Sequence, residues 1–125
     1  MLIRRITLLI GLLLTAGTSL AHHSIGGEFD SSRSITVTGT VKEVALINPH
    51  AYILIDVEEA GEAVQYTLTM GPAIKLIRGS GWTPDILHAG DVVTSSGRPM
   101  RKGNGMYIAH LVTQDGEVLI GELVE

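Results

Sequence analysis

The chain contains no cysteine among its 125 residues. This argues against a disulfide framework and against a lipid-anchored lipoprotein, because both need a thiol. Its apolar run from Ile6 to Leu14 is far shorter than the about 20 residues that a membrane-spanning helix needs. The folded domain must therefore be stabilised by its core.

The sequence also lacks familiar catalytic motifs. It has no thiol nucleophile, no G-x-S-x-G elbow, no H-E-x-x-H pair and no phosphate-binding loop. Its carboxylate pair Glu58-Glu59 falls in a predicted hairpin tip, where water surrounds it. We therefore expect a protein that is not an enzyme, and a mononuclear copper oxidase-like centre is the alternative.

Basic residues are few, with 9 against 13 acidic residues in the whole chain. Without Arg4 and Arg5 the count becomes 7 against 13, a net charge near −6 with neutral histidine. Nucleic-acid affinity comes largely from cations that neutralise phosphates, so no nucleic-acid partner is expected. The one basic cluster, Arg98, Arg101 and Lys102, is predicted to be a solvated hairpin tip.

A secretory signal peptide is indicated at the start of the chain. Arg4-Arg5 precedes the short apolar run, and Ser19-Leu20-Ala21 is a small-x-Ala cleavage site. Residues 1–21 are predicted to be removed on export to the periplasm, which leaves 104 residues. We divide these into an extended polar arm, 22–34, and a single β-barrel domain, 35–125.

The first predicted strand carries a change of phase. Apolar residues stand at odd positions from Ile35 to Val41, alternating with threonines, and then at even positions, Val44 and Leu46. A strand keeps a period of two, so this change predicts a bulge or bend near Lys42-Glu43. A first strand bent in its middle is what a small closed barrel needs.

Further strands follow from alternation and turn residues, and a helix interrupts them. The strands are predicted over Tyr52–Val57, Val64–Met70, Val92–Ser96, Met106–Val112 and Val118–Ile120. Pro72 opens a helix that is predicted to bury Ala73, Ile74, Leu76 and Ile77 and to end at Gly79 and Gly81. A second short helical piece is predicted from Thr83 through His88.

Three strands, a short helical connection and two or three more strands is the order of the OB-fold, a small Greek-key barrel. The predicted class is therefore mainly β, an OB-fold-like barrel that is closed or partly open, with one short helical connection between strands 3 and 4. A six-stranded roll or an SH3-like barrel is the alternative, because strand count does not fix closure.

Several short segments occur in a recognisable order along the chain. They are His22-His23-Ser24, Glu28-Phe29-Asp30, Gly39-Thr40-Val41, Asn48-Pro49-His50-Ala51, Gly81-Trp82-Thr83, Gly90-Asp91 and Thr113-Gln114-Asp115-Gly116. Together they resemble a family of small exported bacterial proteins of unknown function, domain-of-unknown-function family 6152. The resemblance implies export and a small β-rich domain, and it directs attention to His22, His23 and His50.

The metal-ligating candidates are these same three histidines. Cleavage after Ala21 would leave His22 with a free α-amine beside its imidazole, and a third nitrogen would complete a tetragonal Cu(II) site. His23 could instead bind through its ring, the intervening amide and the amine. His50, after Asn48-Pro49, is either that third ligand or a residue that hydrogen-bonds the turn.

Structural roles are expected for the other residues that could carry chemistry. His110 is predicted on the apolar face of its strand, and His88 at the end of a helix, near the negative end of its dipole. Met70, Met100 and Met106 are soft donors for Cu(I), but core packing is favoured for Met70 and Met106. Trp82 is predicted to plug one barrel end, and the arm residues Glu28 and Asp30 are predicted to be solvated.

Two function classes remain. The first is an exported, non-catalytic binding module for a small ligand or a protein partner, with no stable membrane anchor and no certain cofactor. The second is a protein that binds copper or another divalent metal through His22, His23 and, as a third ligand, His50.

The cleavage site gives a direct prediction. The exported protein should begin at His22, which N-terminal sequencing or intact mass of periplasmic material measures. Material that begins at Met1, or well beyond Ser24, would contradict it.

Overall fold

The computed structural model describes residues 25–121. They form two short helices and six strands. The helices are α1 (Ile25–Glu28) and α2 (Ala73–Ser80), and the strands are β1 (Ile35–Ala45), β2 (Tyr52–Glu59), β3 (Glu62–Thr69), β4 (Val92–Pro99), β5 (Gly105–Thr113) and β6 (Val118–Ile120). Neither helix is long and apolar enough to cross a membrane, within the part of the chain that is described.

The strands close into a barrel. Their order in the sheet is β3-β2-β1-β4-β5-β6, and β3 also pairs with β5, in parallel, over Thr67–Thr69 and Gly105–Tyr107. Closure therefore involves the first five strands, with β6 added beside the end of β5. This confirms the predicted OB-fold-like class with its helix between strands 3 and 4, and it settles the question of closure that the sequence left open.

The predicted bend in the first strand is confirmed. The pairing of β1 with β2 shifts by one residue between Val41 and Glu43, so that Lys42 is the extra residue of a bulge. Before the bulge, β1 pairs with β4 over Ile35–Thr40, and its second half pairs with β2. One strand thus belongs to both halves of the barrel.

A second bulge lies in β5, and the prediction for His110 did not include it. Ser96 pairs with His110 and Gly97 with Ile108, which leaves Ala109 as the extra residue. The side-chain phase reverses there, so that Leu111 is fully buried and His110 is only half-buried. The predicted placement of His110 on the apolar face, beside Met106 and Ile108, was therefore wrong.

Helix α2 ends as predicted but is buried less than predicted. Pro72 is its N-cap residue, and Gly81 caps its C-terminus with φ 70°, the left-handed conformation that glycine adopts without strain. Ala73 and Leu76 are buried, whereas Ile74 and Ile77 are exposed. The helix therefore packs against the barrel through the stripe that contains Ala73 and Leu76.

The second predicted helical piece, Thr83 through His88, is not a helix. It contains turns and bends with a hydrogen bond from Ile86 N to the Thr83 carbonyl, and it is fastened by the buried side chain of Leu87. Proline and aspartate are as common in turns as in the first turn of a helix, so Pro84 and Asp85 led to the wrong prediction of a helix here.

The barrel interior is aliphatic with two methionines and one tryptophan. Met70 and Met106 are buried there, as predicted, and Trp82 is 1 % exposed and donates its indole N–H to the Leu119 carbonyl. The buried core cluster comprises Val41, Ala51, Ile53, Ile55, Val57, Leu68, Met70, Leu76, Trp82, Leu87, Val93, Met106, Ile108 and Leu111.

Close backbone contact at the β3–β5 seam generates a stability prediction. A Cβ on Gly105 would lie 2.5 Å from the Thr67 carbonyl oxygen, so Gly105→Ala should destabilise the barrel by about 2 kcal/mol, as overpacking does. At Gly79, in α2, a Cβ meets nothing within 4 Å, so Gly79→Ala should stabilise by about 0.5–1 kcal/mol. Urea denaturation of the two variants measures both changes in the free energy of unfolding. Equal changes would contradict the close contact of Gly105 with β3.

Candidate functional site

The described part of the arm, residues 25–34, is docked on the barrel and begins with α1, whereas the sequence predicted an extended segment. Phe29 follows α1, forms a β-bridge with Met100 and is only 2 % exposed. Its ring meets the Tyr107 ring edge-on, with 5.6 Å between the ring centroids. Phe29 does not belong to the barrel's core cluster, so it is buried against the outer wall.

Backbone hydrogen bonds join this part of the arm to the tip of the β4–β5 hairpin. Asp30 N donates to the Pro99 carbonyl, and Arg101 N donates to the Glu28 carbonyl, each over 2.9 Å. The Arg101 guanidinium also reaches the Gly26 carbonyl at 3.4 Å. Residues 26–30 are therefore held by Pro99, at the end of β4, and by Arg101, which follows it in the hairpin tip.

The arm then turns at Asp30 and enters β1. The Ser32 hydroxyl and the Ser32 N–H both donate to Asp30 Oδ1, at 2.6 and 3.0 Å. These hydrogen bonds hold the pKa of Asp30 below its ordinary value, and the one from the Ser32 hydroxyl has the larger effect. Asp30 is thus a turn residue, whereas Glu28 is exposed to water as predicted.

Tyr107 is the centre of a group of side chains on this outer wall. It lies opposite Arg98 in the β4–β5 pair, and the Arg98 guanidinium carbon is 5.3 Å from the centre of the Tyr107 ring. The His50 ring meets the same ring edge-on at 6.3 Å. We call Phe29, His50, Arg98 and Tyr107 the Tyr107 cluster; its last three members are half-buried.

His50 is positioned by the end of β3. Its Nδ1 lies 3.2 Å from the Met70 carbonyl oxygen. The two segments of the chain are paired there, because Ala51 forms backbone hydrogen bonds with Met70 and Gly71. A carbonyl only accepts, so this hydrogen bond needs the proton on Nδ1 and leaves the lone pair of neutral imidazole on Nε2. His50 thus bonds the end of β3 rather than the Asn48-Pro49 turn, and its Nε2 keeps a lone pair for the ligand role that stays a prediction.

Positive charge accumulates around the cluster. Arg33 and Arg101 both act on the Asp30 carboxylate, and Lys102 follows Arg101 at the exposed hairpin tip. With Arg98, these are four of the seven basic residues that follow the predicted cleavage site. The solvated hairpin tip predicted for Arg101 and Lys102 is confirmed, but Arg98 lies against Tyr107.

The three predicted metal ligands are not all described. His22 and His23 lie outside residues 25–121, and His50 is the one that can be placed. Within residues 25–121, no group of three or more His, Cys, Asp or Glu side chains is arranged to hold a metal ion.

His88 is exposed and does not cap a helix. Its Nδ1 is 3.9 Å from the Asp91 carboxylate, and its backbone N–H donates to the same oxygen at 2.8 Å. The prediction of a helix-end cation was wrong because no helix forms before it. The Asp91 side chain closes this loop instead.

Phe29, Arg98 and Tyr107 were missed as site residues by sequence reasoning. Phe29 is the single phenylalanine of the chain, and it stands in an otherwise polar segment. That isolation was a usable signal for a docking contact. The meeting of Arg98 with Tyr107 depends on the hairpin register, which the sequence pattern did not fix.

Comparison with known proteins gives a family but no activity. No curated protein matches the chain. A model of a family of unknown function, DUF6152, matches residues 11–109, which include the arm, the cluster and α2. The segment Thr113 to Gly116, which contributed to the resemblance, lies beyond the matched range. The chain therefore belongs to this family of unknown function.

Proposed function

We propose that the protein is an exported, non-catalytic binding module that acts in the periplasm. The signal-peptide pattern of residues 1–21 supports export, and the single small barrel supports a binding role. OB-like barrels commonly present ligand surfaces on the outside of their strands and loops.

The ligand surface of this proposal is the Tyr107 cluster. The observation that carries it is the stacking of the Arg98 guanidinium on the Tyr107 ring beside a histidine that keeps one nitrogen for a ligand. A guanidinium fork matches a carboxylate, and a phenol ring matches a planar apolar group. The ligand is therefore a planar group that bears a carboxylate, either free or on a partner protein.

Benzoate is the simplest probe of that chemistry. In ¹⁵N-labelled protein starting at His22, benzoate should shift the amide signals of Arg98, Tyr107 and His50 and saturate at millimolar concentration. Arg98→Gln should remove most of the saturable shift, because it removes the guanidinium while keeping a polar side chain. Chemical-shift titration by NMR measures both effects.

Controls separate this site from general binding. Tyr52→Ala removes another half-buried tyrosine of the barrel, whose hydroxyl contacts Glu43, and should leave the benzoate shifts unchanged. Benzylammonium, the probe of opposite charge, should not saturate. Equal shifts with benzylammonium, or shifts that persist in Arg98→Gln, would sink the proposed surface.

A second candidate function is Cu(II) binding, and the docking of the arm favours it. Phe29 and His50 contact the same tyrosine ring, and Ile25 lies one hydrogen-bonded helical turn before Phe29. Three residues of extended chain reach about 10 Å, so the predicted amino terminus at His22 is within range of this wall. His22 or His23 with the α-amine would supply two or three nitrogens, and His50 Nε2 the remaining one.

Isothermal titration with Cu(II) tests this candidate on matched proteins. Acetylation of the His22 α-amine should weaken binding more than about tenfold, because it removes a ligand nitrogen and even disturbing a partner of a ligand costs that much. His50→Ala should weaken it if His50 is the third ligand. Affinity should also fall as pH drops through about 6–7, where protons compete for imidazole and amine.

His88→Ala is the control, because it removes an exposed histidine that no ligand set includes. It should bind Cu(II) like the unchanged protein. Equal affinity of the His22-start protein with a free and with an acetylated α-amine would reject the amino-terminal site and leave the carboxylate-binding module as the better account.

A further inference from the structure

Within residues 25–121, the large apolar side chains that are exposed lie at one place. Ile47, Ile74 and Ile77 are 49 %, 44 % and 46 % exposed, and they are the large hydrophobic side chains exposed within residues 25–121. Ala73 N donates to the Ile47 carbonyl, so Ile47 lies at the start of α2, which carries the other two. Exposed apolar groups gathered in this way mark an interaction surface.

The same helix carries positive charge and no negative charge. Lys75 and Arg78 are exposed beside Ile74 and Ile77, and α2 contains no acidic residue. At 100° per residue, Ile74, Lys75 and Arg78 lie on the side of the helix away from buried Ala73 and Leu76, and Ile77 lies between that side and Ala73. In a chain with 13 acidic residues, a cationic apolar face of this kind is a distinct feature.

We propose that this face of α2, with Ile47, binds reversibly to the surface of a membrane that contains anionic lipids. Isoleucine side chains insert into the boundary between headgroups and acyl chains, and lysine and arginine attract the anionic headgroups. The face lies on the exposed side of a helix, so it can lie against the surface of a bilayer. The assignment is independent of the Tyr107 cluster.

Charge favours lipid over the other occupant that the patch could take, a second copy of the chain. A symmetric dimer through α2 would bring Lys75 and Arg78 of each copy towards the same cations of the partner. Like charges across an interface oppose association. Anionic headgroups complement both cations and leave the isoleucines in an apolar layer.

Vesicle sedimentation with protein starting at His22 tests the proposal. The protein should pellet with vesicles of equal parts phosphatidylglycerol and phosphatidylcholine, and much less with phosphatidylcholine alone. Ile74→Ser/Ile77→Ser should abolish pelleting, because it removes the inserted side chains. Lys75→Gln/Arg78→Gln should weaken partitioning by about fivefold for each cation and should remove its salt dependence.

Arg33→Gln/Lys102→Gln is the charge-matched control, since both residues are exposed and lie outside α2. It should pellet like the unchanged protein, and circular dichroism should show the barrel intact in every variant. Two results would overturn the proposal. One is pelleting that the α2 variants do not reduce. The other is no pelleting with the anionic vesicles, and a dimer seen by sedimentation velocity that Ile74→Ser/Ile77→Ser abolishes would then assign the face to a second copy of the chain.

Discussion

The bulge at Lys42 is the constraint on which the rest of this structure depends. It lets one strand of eleven residues pair with β4 by its first half and with β2 by its second. Without that bend the sheet would stay open, and β3 would not meet β5. Closure in turn places Tyr107 next to Thr69 and lays its hydroxyl over Gly71, beside the carbonyl that holds His50.

The docked arm is the second level of organisation. Phe29 is the buried residue of the described arm, and full burial of such a side chain contributes about 1.5–3 kcal/mol. The hydrogen bonds of Asp30 and Arg101 fix its register on the hairpin. The described part of the arm is thereby kept on the same wall as His50, and the proposed Cu(II) site uses this arrangement.

Sequence patterns predicted much of the fold because the strands alternate cleanly and because the phase change in β1 is visible in the order of residues. The class, the bend, α2 and β6 were all predicted in this way. The bulge at Ala109 was not predicted, because in the sequence His110 simply continues the alternation of Met106 and Ile108. Strand lengths were also underestimated: the Ala60-Gly61 turn, with φ of 50° and 83°, lets β2 and β3 pair as far as Glu59 and Glu62.

The candidate site was predictable only in part, for a physical reason. His50 was found because a histidine after Asn48-Pro49 stands out in one dimension. Arg98, Tyr107 and Phe29 come from three separate elements, and their meeting depends on the register of one hairpin and on the docking of the arm. Contacts of that kind follow from tertiary structure and leave little trace in local patterns.

The central claim is that the arm lies on the barrel wall with Phe29 against Tyr107. Nuclear Overhauser effects between the ring protons of these two residues, in protein starting at His22, test it most directly. The account predicts strong cross-peaks, since the ring centroids are 5.6 Å apart. Absence of these cross-peaks, with random-coil shifts for residues 26–30, would contradict it.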